Sequence, residues 1–345
     1  MRILVGMSGG LDSTYAAYKL IKEGHVVEGA VLRMHEHTEI DMALESARSI
    51  GIPIHIVDCT SAFEECVVNN FISEYLKART PNPCVICNSD VKFRCLLDYA
   101  IEKDFDAIAT GHYARIVKKE SGGAIRYSVS RSNDEKKDQT YMLWRLSQKI
   151  LSHLIFPLAD CKKSDVRDAA RELGLCVADR SESQEICFVP SGDYAEFIEQ
   201  RTGKAARGSF INKEGKVLGE HNGIIRYTVG QRKGLGIAMG ERVFVTDINP
   251  NDNTVTLSPD DSYHSDLYIS DMHFSGISEP NPNMAFELEV KIRYLAPRVN
   301  CVLEYLGEGR GVVRLSSPQR AVTPGQSAVF YIGDELIAGG FIDRK

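Results

Sequence analysis

The chain has 345 residues, 43% of them apolar and 26% charged, with a formal net charge of −6. This length and composition fit a globular protein of two or three domains that needs no disulfide staples, and exclude a disordered, collagen-like or membrane-embedded chain as a whole-chain description. Neither half of the chain is basic, which excludes a protein that coats nucleic acid by bulk charge and leaves room for a local basic groove.

No apolar run reaches the ~18 residues of a membrane span. The chain passes from Met1-Arg2 straight into a strand-like run, with no signal-peptide pattern. We therefore expect a cytoplasmic protein with no membrane partner. Nine cysteines in a reducing compartment point to buried thiols, metal ligands or catalytic groups rather than a disulfide framework.

The first 190 or so residues alternate strand and helix signals. An apolar strand at 3–7 precedes a helix at 12–22 that Gly24 stops. A strand at 26–34, a helix at 41–50 and a strand at 52–58 follow. Ser61-Ala-Phe-Glu64 reads as a capping box. It opens a helix with Phe63, Val67, Phe71 and Tyr75 on one face. Another helix begins near Ser89, and a strand at 106–110 ends at Gly111. A helix at 164–173 has Ser164 at its start and Gly174 at its end. Such alternation predicts a doubly wound parallel α/β sheet. After about residue 200 glycine becomes frequent and helical periodicity is lost. Phe286, Leu288, Val290, Ile292 and Tyr294 alternate with polar residues, as on a half-buried strand. Further strands are expected at 301–306, 311–315 and 328–332, with turns at Asn251-Asp-Asn253 and Gly307-Glu-Gly309. The expected division is 1–195 for the α/β domain, 196–262 for a small mixed connector and 263–345 for a β-barrel.

Three motifs carry chemistry. Ser8-Gly-Gly-Leu-Asp-Ser13 joins the first strand to the first helix, where backbone N–H groups and a helix N-terminus form an anion cradle. Asp12 repels phosphate directly and is expected to act through Mg²⁺. The Walker lysine is absent. Pro81-Asn-Pro-Cys84-Val-Ile-Cys87-Asn88 places two thiols three residues apart. That spacing alone is compatible with half a zinc site, a redox pair, or a nucleophile with a neighbour. Asp179-Arg-Ser-Glu-Ser-Gln-Glu-Ile-Cys187 puts a third thiol in a polar, turn-rich stretch. Cys59, Cys66, Cys95, Cys161, Cys176 and Cys301 are expected to be buried free thiols. His35 and His37 are expected to be exposed loop residues.

The SGGLDS loop resembles that of the N-type ATP pyrophosphatases. Taken in order, SGGLDS, PNPCVICN, TGHYAR at 110–115, KDQTYML at 137–143, DRSESQEICF at 179–188 and GQRKGLG at 230–236 resemble the tRNA-specific 2-thiouridylase family nearly end to end. The resemblance implies an enzyme that makes 2-thiouridine at the wobble position of tRNAs for Lys, Glu and Gln. In that family ATP adenylates the base oxygen, and a protein persulfide then supplies sulfur. Carried over motif by motif, Cys187 is the persulfide carrier and Cys87 its partner. Delivery leaves a Cys87–Cys187 disulfide to be reduced. ATP contacts fall on Gly6, Met7, Ser8, Gly9, Gly10, Leu11, Asp12, Ser13, Leu32 and Gly111. Asn82, Pro83 and Cys84 match the target-base contact. His112, Lys137, Asp138, Gln139, Arg293, Tyr294 and Gln326 match tRNA contacts. The 230–236 run is expected to be a backbone turn near RNA. A cysteine desulfurase or sulfur-relay protein is the implied partner, and a monomer is expected.

Two departures from the family pattern stand out. Many members have Asp where this chain has Cys84. Cys84, Cys87 and Cys187 together open an alternative, an iron–sulfur cluster with one free iron site. The loop at 35–39 is also short. Competing readings are an adenylating ligase or amidotransferase of the same superfamily, and a non-catalytic ATP- and RNA-binding protein.

Overall fold

The structure is a computed structural model that describes residues 1–121, 123–175, 177–180, 186–237, 239–260 and 262–344. Cys176 and residues 181–185 of the third motif lie outside the described residues. The first strand β1 (Arg2–Gly6) leads into α1 (Leu11–Lys22), then β2 (Val26–Arg33), α2 (Ile40–Ser49) and β3 (Ile54–Asp58). Next come α3 (Thr60–Phe63), α4 (Asn69–Leu76), α5 (Pro83–Ile86) and α6 (Phe93–Glu102). Wide π-type turns at Glu64–Val68 and Cys87–Lys92 link α3 to α4 and α5 to α6. Then follow β4 (Ala107–Thr110), a hairpin of β5 (Arg115–Ser121) and β6 (Ala124–Ser130), α7 (Gln148–Leu151) and β7 (Leu154–Ile155).

A five-stranded sheet has the order β3-β2-β1-β4-β7, and every pairing in it is parallel. Alternation along β1 explains why both faces are covered. Ile3 and Val5 pack with Ala17, Leu20, Ala43 and Ala47 on one face. Leu4 packs with Phe63, Phe71, Leu96 and Ile108 on the other. The carboxyl ends of β1, β2 and β4 therefore converge where ligands bind in open α/β sheets.

Two helix starts differ from expectation. Ser61 lies inside the first turn of α3 rather than at its cap. Asp58 Oδ1 accepts from the Thr60 amide at 3.0 Å and hydroxyl at 2.8 Å and does the capping instead. Helix α8 (Lys163–Glu172) begins one residue before Ser164, because Asp134 accepts from the Lys163 amide at 2.9 Å. A partner distant in sequence supplies the cap, so the local pattern misplaces the start.

After α9 (Tyr194–Thr202) the chain is mostly β. Strands β8 (Gly208–Ile211), β9 (Val217–His221), β10 (Phe244–Asn249) and β11 (Thr254–Ser258) form a sheet of order β10-β11-β8-β9 with one parallel pair, β11–β8. Strands β12 (Tyr263–His273), β13 (Met284–Lys291), β14 (Val299–Gly307), β15 (Arg310–Arg320), β16 (Ser327–Ile332) and β17 (Glu335–Asp343) form an antiparallel barrel. It closes through pairing of β12 with β17. The β13 strand stops at Lys291, so Ile292 and Tyr294 lie beyond the run that their alternation suggested. The β5–β6 hairpin does not join the parallel sheet. It pairs with β17 at Glu335↔Ser130 and extends the barrel sheet.

The barrel is docked on the α/β unit. Trp144 is fully buried, and its indole N–H donates to Ser327 Oγ at 3.0 Å. Tyr141 Oη donates to the Ser327 carbonyl at 2.9 Å. No helix among the described residues is long and apolar enough to cross a membrane.

Candidate active site

The loop between β1 and α1 is held by its own hydroxyls. Ser13 Oγ donates to the Gly10 carbonyl at 3.1 Å and accepts from the Ser8 amide at 3.2 Å. Thr14 Oγ1 donates to the same carbonyl at 2.9 Å. Gly9 has φ +75°, and a Cβ there would meet Met42 and Ala43 at 2.7–2.9 Å. Only glycine suits that position. Gly111, at the end of β4, lies so close to α1 that a Cβ would come within 2.6 Å of the Asp12 carbonyl carbon and the Ser13 amide. Gly6, Met7, Leu11 and buried Leu32 line the same end of the sheet, the last two at 5% and 7% exposure.

Asp12 is partly exposed and is held on its protein side. Lys163 Nζ donates to both of its carboxylate oxygens at 2.6 Å, and Tyr113 Oη donates to Oδ1 at 3.0 Å. Burial beside this carboxylate pushes the Tyr113 phenol up. Lys163 thus engages both oxygens of the carboxylate that the sequence reading expected to act through Mg²⁺.

The three motif thiols lie on two segments. Asn82 stands at the N-cap of α5, and Pro83 opens that helix. Cys84 and Cys87 follow one turn apart. Asn82 Nδ2 lies 3.4 Å from Met142 Sδ, and Asn88 Nδ2 donates to the Met142 carbonyl at 3.0 Å. The KDQTYML segment thus braces the PNPCVICN segment. Phe188 and Val189 are buried, and the Phe188 ring sits edge-on to Phe63 at 5.5 Å and Phe71 at 5.3 Å. That anchor brings the adjacent Cys187 into electrostatic reach of Cys84 and Cys87.

Cys84 and Cys187 are open to solvent, whereas Cys87 is buried with its sulfur 3.7 Å from Met34 Sδ. Burial pushes all three thiols up, Cys87 to about 12. Lys92, on the π turn that starts at Cys87, opposes that rise at each of them. It also acts on His112, whose ring lies against Phe93 and Phe156 and whose pKa burial lowers to about 3. Among the described residues no group of three or more His, Cys, Asp or Glu is arranged to hold a metal ion. As placed, the thiols are neighbours but do not form a ligand set for a cluster.

The positions carried over as tRNA contacts are engaged within the protein. His112 Nδ1 is 2.8 Å from Thr110 Oγ1. Asp138 accepts from the Thr140 amide at 3.0 Å, and Gln139 Oε1 accepts from the Tyr113 amide at 2.9 Å. Lys137 lies half-buried in the same segment. Arg293 donates to the carbonyls of Arg320 and Ala321, and Tyr294 packs 6.0 Å from Tyr141. Gln326 Nε2 donates to the Thr80 carbonyl at 2.8 Å and ties the barrel to the chain just before Pro81. The 230–236 run is a turn stitched to β10 by Gly230 N–H to Val245 O at 2.7 Å and Val245 N–H to Gln231 O at 2.9 Å. Cavities of about 590 and 310 Å³ open beside it, each lined in part by arginine.

Other expectations are corrected. Among the thiols expected to be buried, Cys59 and Cys301 are, while Cys66, Cys95 and Cys161 are half-exposed. His35 is not an exposed loop residue. Its ring packs on Phe63 at 5.5 Å, and its Nδ1 is buried without a partner. Lys92 and Lys163 escaped the sequence reading because each looks like an ordinary helical lysine. Only the packing gives them thiol and carboxylate neighbours.

Family models match the chain in succession. They are described as tRNA methyl transferase HUP domain over residues 1–191, tRNA methyl transferase PRC-barrel domain over 195–259 and aminomethyltransferase beta-barrel domain over 264–342. The chain is thus a tRNA-modification type of protein with a nucleotide-type sheet and an appended barrel. Its curated relatives carry a narrower name. The tRNA-specific 2-thiouridylase MnmA of Clostridium acetobutylicum is 43% identical over 360 residues, covering 99% of each chain. That of Acetivibrio thermocellus is 42% identical over 358 residues, again covering 99% of each. A solved 4-thiouridine synthetase–RNA complex with bound ATP aligns at 18% identity and TM-score 0.38, over 58% of this chain and 50% of that one, too loose to argue from. The chain belongs to the tRNA-specific 2-thiouridylase family.

Proposed function

We propose that the protein is a tRNA-uridine 2-sulfurtransferase that uses ATP. Full-length relatives of the family, with Cys187 in electrostatic reach of Cys84 and Cys87 and Lys92 acting on all three, carry this reading. Neither methyl transfer, as the family-model wording has it, nor amide formation calls for such a set of thiols. The Ser8–Ser13 loop and the N-terminus of α1 would hold the ATP phosphates through backbone N–H groups. The uridine 2-oxygen attacks the α-phosphorus, and pyrophosphate leaves. The base is now activated by an AMP leaving group.

The terminal sulfur of a Cys187 persulfide bonds the base carbon, and AMP departs. The Cys87 thiolate then attacks Cys187 Sγ and breaks the S–S bond, leaving the outer sulfur on the base. That sulfur is reduced while two thiols are oxidised to the Cys87–Cys187 disulfide. A cellular thiol reductant restores them. Cys87, pushed up to about 12 by burial, needs deprotonation for this step, and the Lys92 charge favours the thiolate. The persulfide sulfur itself comes from a cysteine desulfurase or relay protein.

Asn82, Pro83 and Cys84 would meet an extruded anticodon base. His112, Lys137, Asp138, Gln139, Arg293, Tyr294 and Gln326, with the arginine-lined cavities beside 230–236, would frame the tRNA. We derive no step through Mg²⁺ or a cluster, since Asp12 is engaged by Lys163 and the thiols do not gather as ligands. The protein is a monomeric cytoplasmic enzyme divided at 1–195, 196–262 and 263–345, a division that the three family spans support.

The test supplies unmodified tRNA, ATP, cysteine and a cysteine desulfurase, then digests the tRNA and weighs the nucleosides. Wild type yields 2-thiouridine with AMP and pyrophosphate. Cys87→Ser and Cys187→Ser lose thiolation by at least a hundredfold while still binding tRNA. Full activity in either variant would overturn the persulfide route.

A further inference from the structure

The third motif also reaches the loop between β1 and α1. Val177 and Ala178 are buried and pack with Leu11 and Ala16 of α1. Two residues further on, Arg180 is half-buried, and its guanidinium has two partners. Nη1 donates to the Gly9 carbonyl at 2.8 Å, and Nη2 donates to Glu45 Oε2 on α2 at 3.3 Å. Ser46 Oγ, fully buried on the same helix, donates to the Gly9 carbonyl as well, at 3.4 Å. The loop glycine whose surroundings exclude a side chain is thus held by a cation from a segment 171 residues away.

We propose that Arg180 is a positioning residue for the ATP phosphates, acting through the Gly9–Gly10 peptide. This role rests on the reading of the Ser8–Ser13 loop as the ATP site. The peptide is trans, so its C=O and N–H point in opposite directions. A guanidinium that fixes the Gly9 oxygen on one side therefore fixes the Gly10 N–H on the other. Gly10 is the N-cap of α1, where N–H groups without a helical partner face an anion. Its N–H makes a long contact to Ser8 Oγ at 3.4 Å, which a phosphate oxygen can displace.

Two physical effects follow. A peptide between two glycines is conformationally free, and anchoring its oxygen beforehand removes part of the ordering cost of binding. A cation on the oxygen also polarises the amide and strengthens its N–H as a donor. Neither effect requires Arg180 to touch ATP. Glu45 occupies the other arm of the fork and fixes the plane of the guanidinium. The third motif then serves both halves of the reaction, with Arg180 at the adenylation step and Cys187 at the sulfur step.

The experiment titrates the full-length protein with ATP and, separately, with adenosine, followed by ligand NMR. Arg180→Ala should weaken ATP binding about tenfold and adenosine binding by less than about twofold, because one charge-assisted hydrogen bond to the phosphate cradle is lost. Arg180→Lys, which keeps a charged donor for the Gly9 carbonyl, should recover most of the ATP affinity. The alanine defect should persist at about 0.5 M salt, where attraction between separated charges is screened. Unchanged ATP affinity in Arg180→Ala would overturn the proposal. So would equal losses for ATP and adenosine, which mean general disruption of the site, or a defect that vanishes at high salt, which means a distant charge effect. If wild type itself bound no ATP, the ATP reading would fall, an outcome distinct from wild type and Arg180→Ala binding ATP alike.

Discussion

Lys92 is a half-buried cation whose charge acts on the thiols of Cys84, Cys87 and Cys187 and on the His112 imidazole. An opposite charge favours a thiolate, while burial opposes it. Lys92→Met should slow iodoacetamide labelling of Cys187 at pH 7.5 by about three- to tenfold, the size of a shift of half to one pKa unit. Its pH–rate curve should move to higher pH, and Lys92→Arg should restore most of the rate. An unchanged curve would remove Lys92 from the thiol chemistry. His112 makes a prediction of opposite sense. Burial, with Lys92 second, lowers its pKa from 6.5 to about 3. Between those values the unfolded chain binds a proton that the folded chain does not. The stability linked to His112 is thus complete above pH 6.5 and is lost as pH falls toward 3. Urea midpoints at pH 7 and pH 5 should fall further in wild type than in His112→Gln. The three motif cysteines were legible because their polar, proline-marked contexts set them apart. Lys92 and Lys163 were not, because Lys163 meets Asp12 from a segment remote in the chain, and Lys92 acts on its thiols through a turn whose direction no spacing reveals.

The β1–loop–α1 element was readable almost to the residue, since glycine, hydroxyl and apolar requirements all act within a dozen positions. Its other wall was only partly readable. Gly111 stood out as the end of a strand, but its reason lies in the 2.6 Å approach to the backbone of Asp12 and Ser13. A methyl there cannot be relieved by turning a side chain, because both atoms are backbone. Gly111→Ala should cost about 1–3 kcal/mol, as overpacking does. It should also cut AMP release by more than tenfold, because the loop that holds phosphate must shift. Thermal unfolding and tRNA-dependent AMP release measure the two effects. Stability loss with unchanged AMP release would show that the loop tolerates the displacement. The start of α8 shows the complementary limit. Serine and threonine patterns identify a cap only when the cap is local, and for α8 it is Asp134, 29 residues upstream of the amide it caps.

At the scale of the whole molecule, the parallel sheet and the barrel are one mechanical system. Arg79 pairs with Glu74 at 2.6 Å and also with Asp343 on the last barrel strand. Gln326 holds the Thr80 carbonyl, and the Thr80 amide donates to Pro324 at 2.8 Å. The segment that opens into Asn82, Pro83 and Cys84 is therefore fixed from the barrel side, which gives the distant domain a part in placing the candidate site. The sequence showed a β-rich second half but not this docking, because the β5–β6 hairpin and the barrel meet across some 200 residues. Trp144, the one tryptophan of the chain, is fully buried at that junction against Ser327, Gly339 and Phe341. It serves as a built-in reporter. If docking is as tight as these contacts indicate, tryptophan fluorescence and far-UV circular dichroism should lose their native signals at the same denaturant concentration. Trp144→Ala, which removes about 3–5 kcal/mol of packing, should lower that common midpoint by the circular dichroism signal alone. A fluorescence red shift that precedes the loss of secondary structure would mean that the barrel undocks first. The segment around Cys84 would then lose its tie to the barrel before the sheet unfolds.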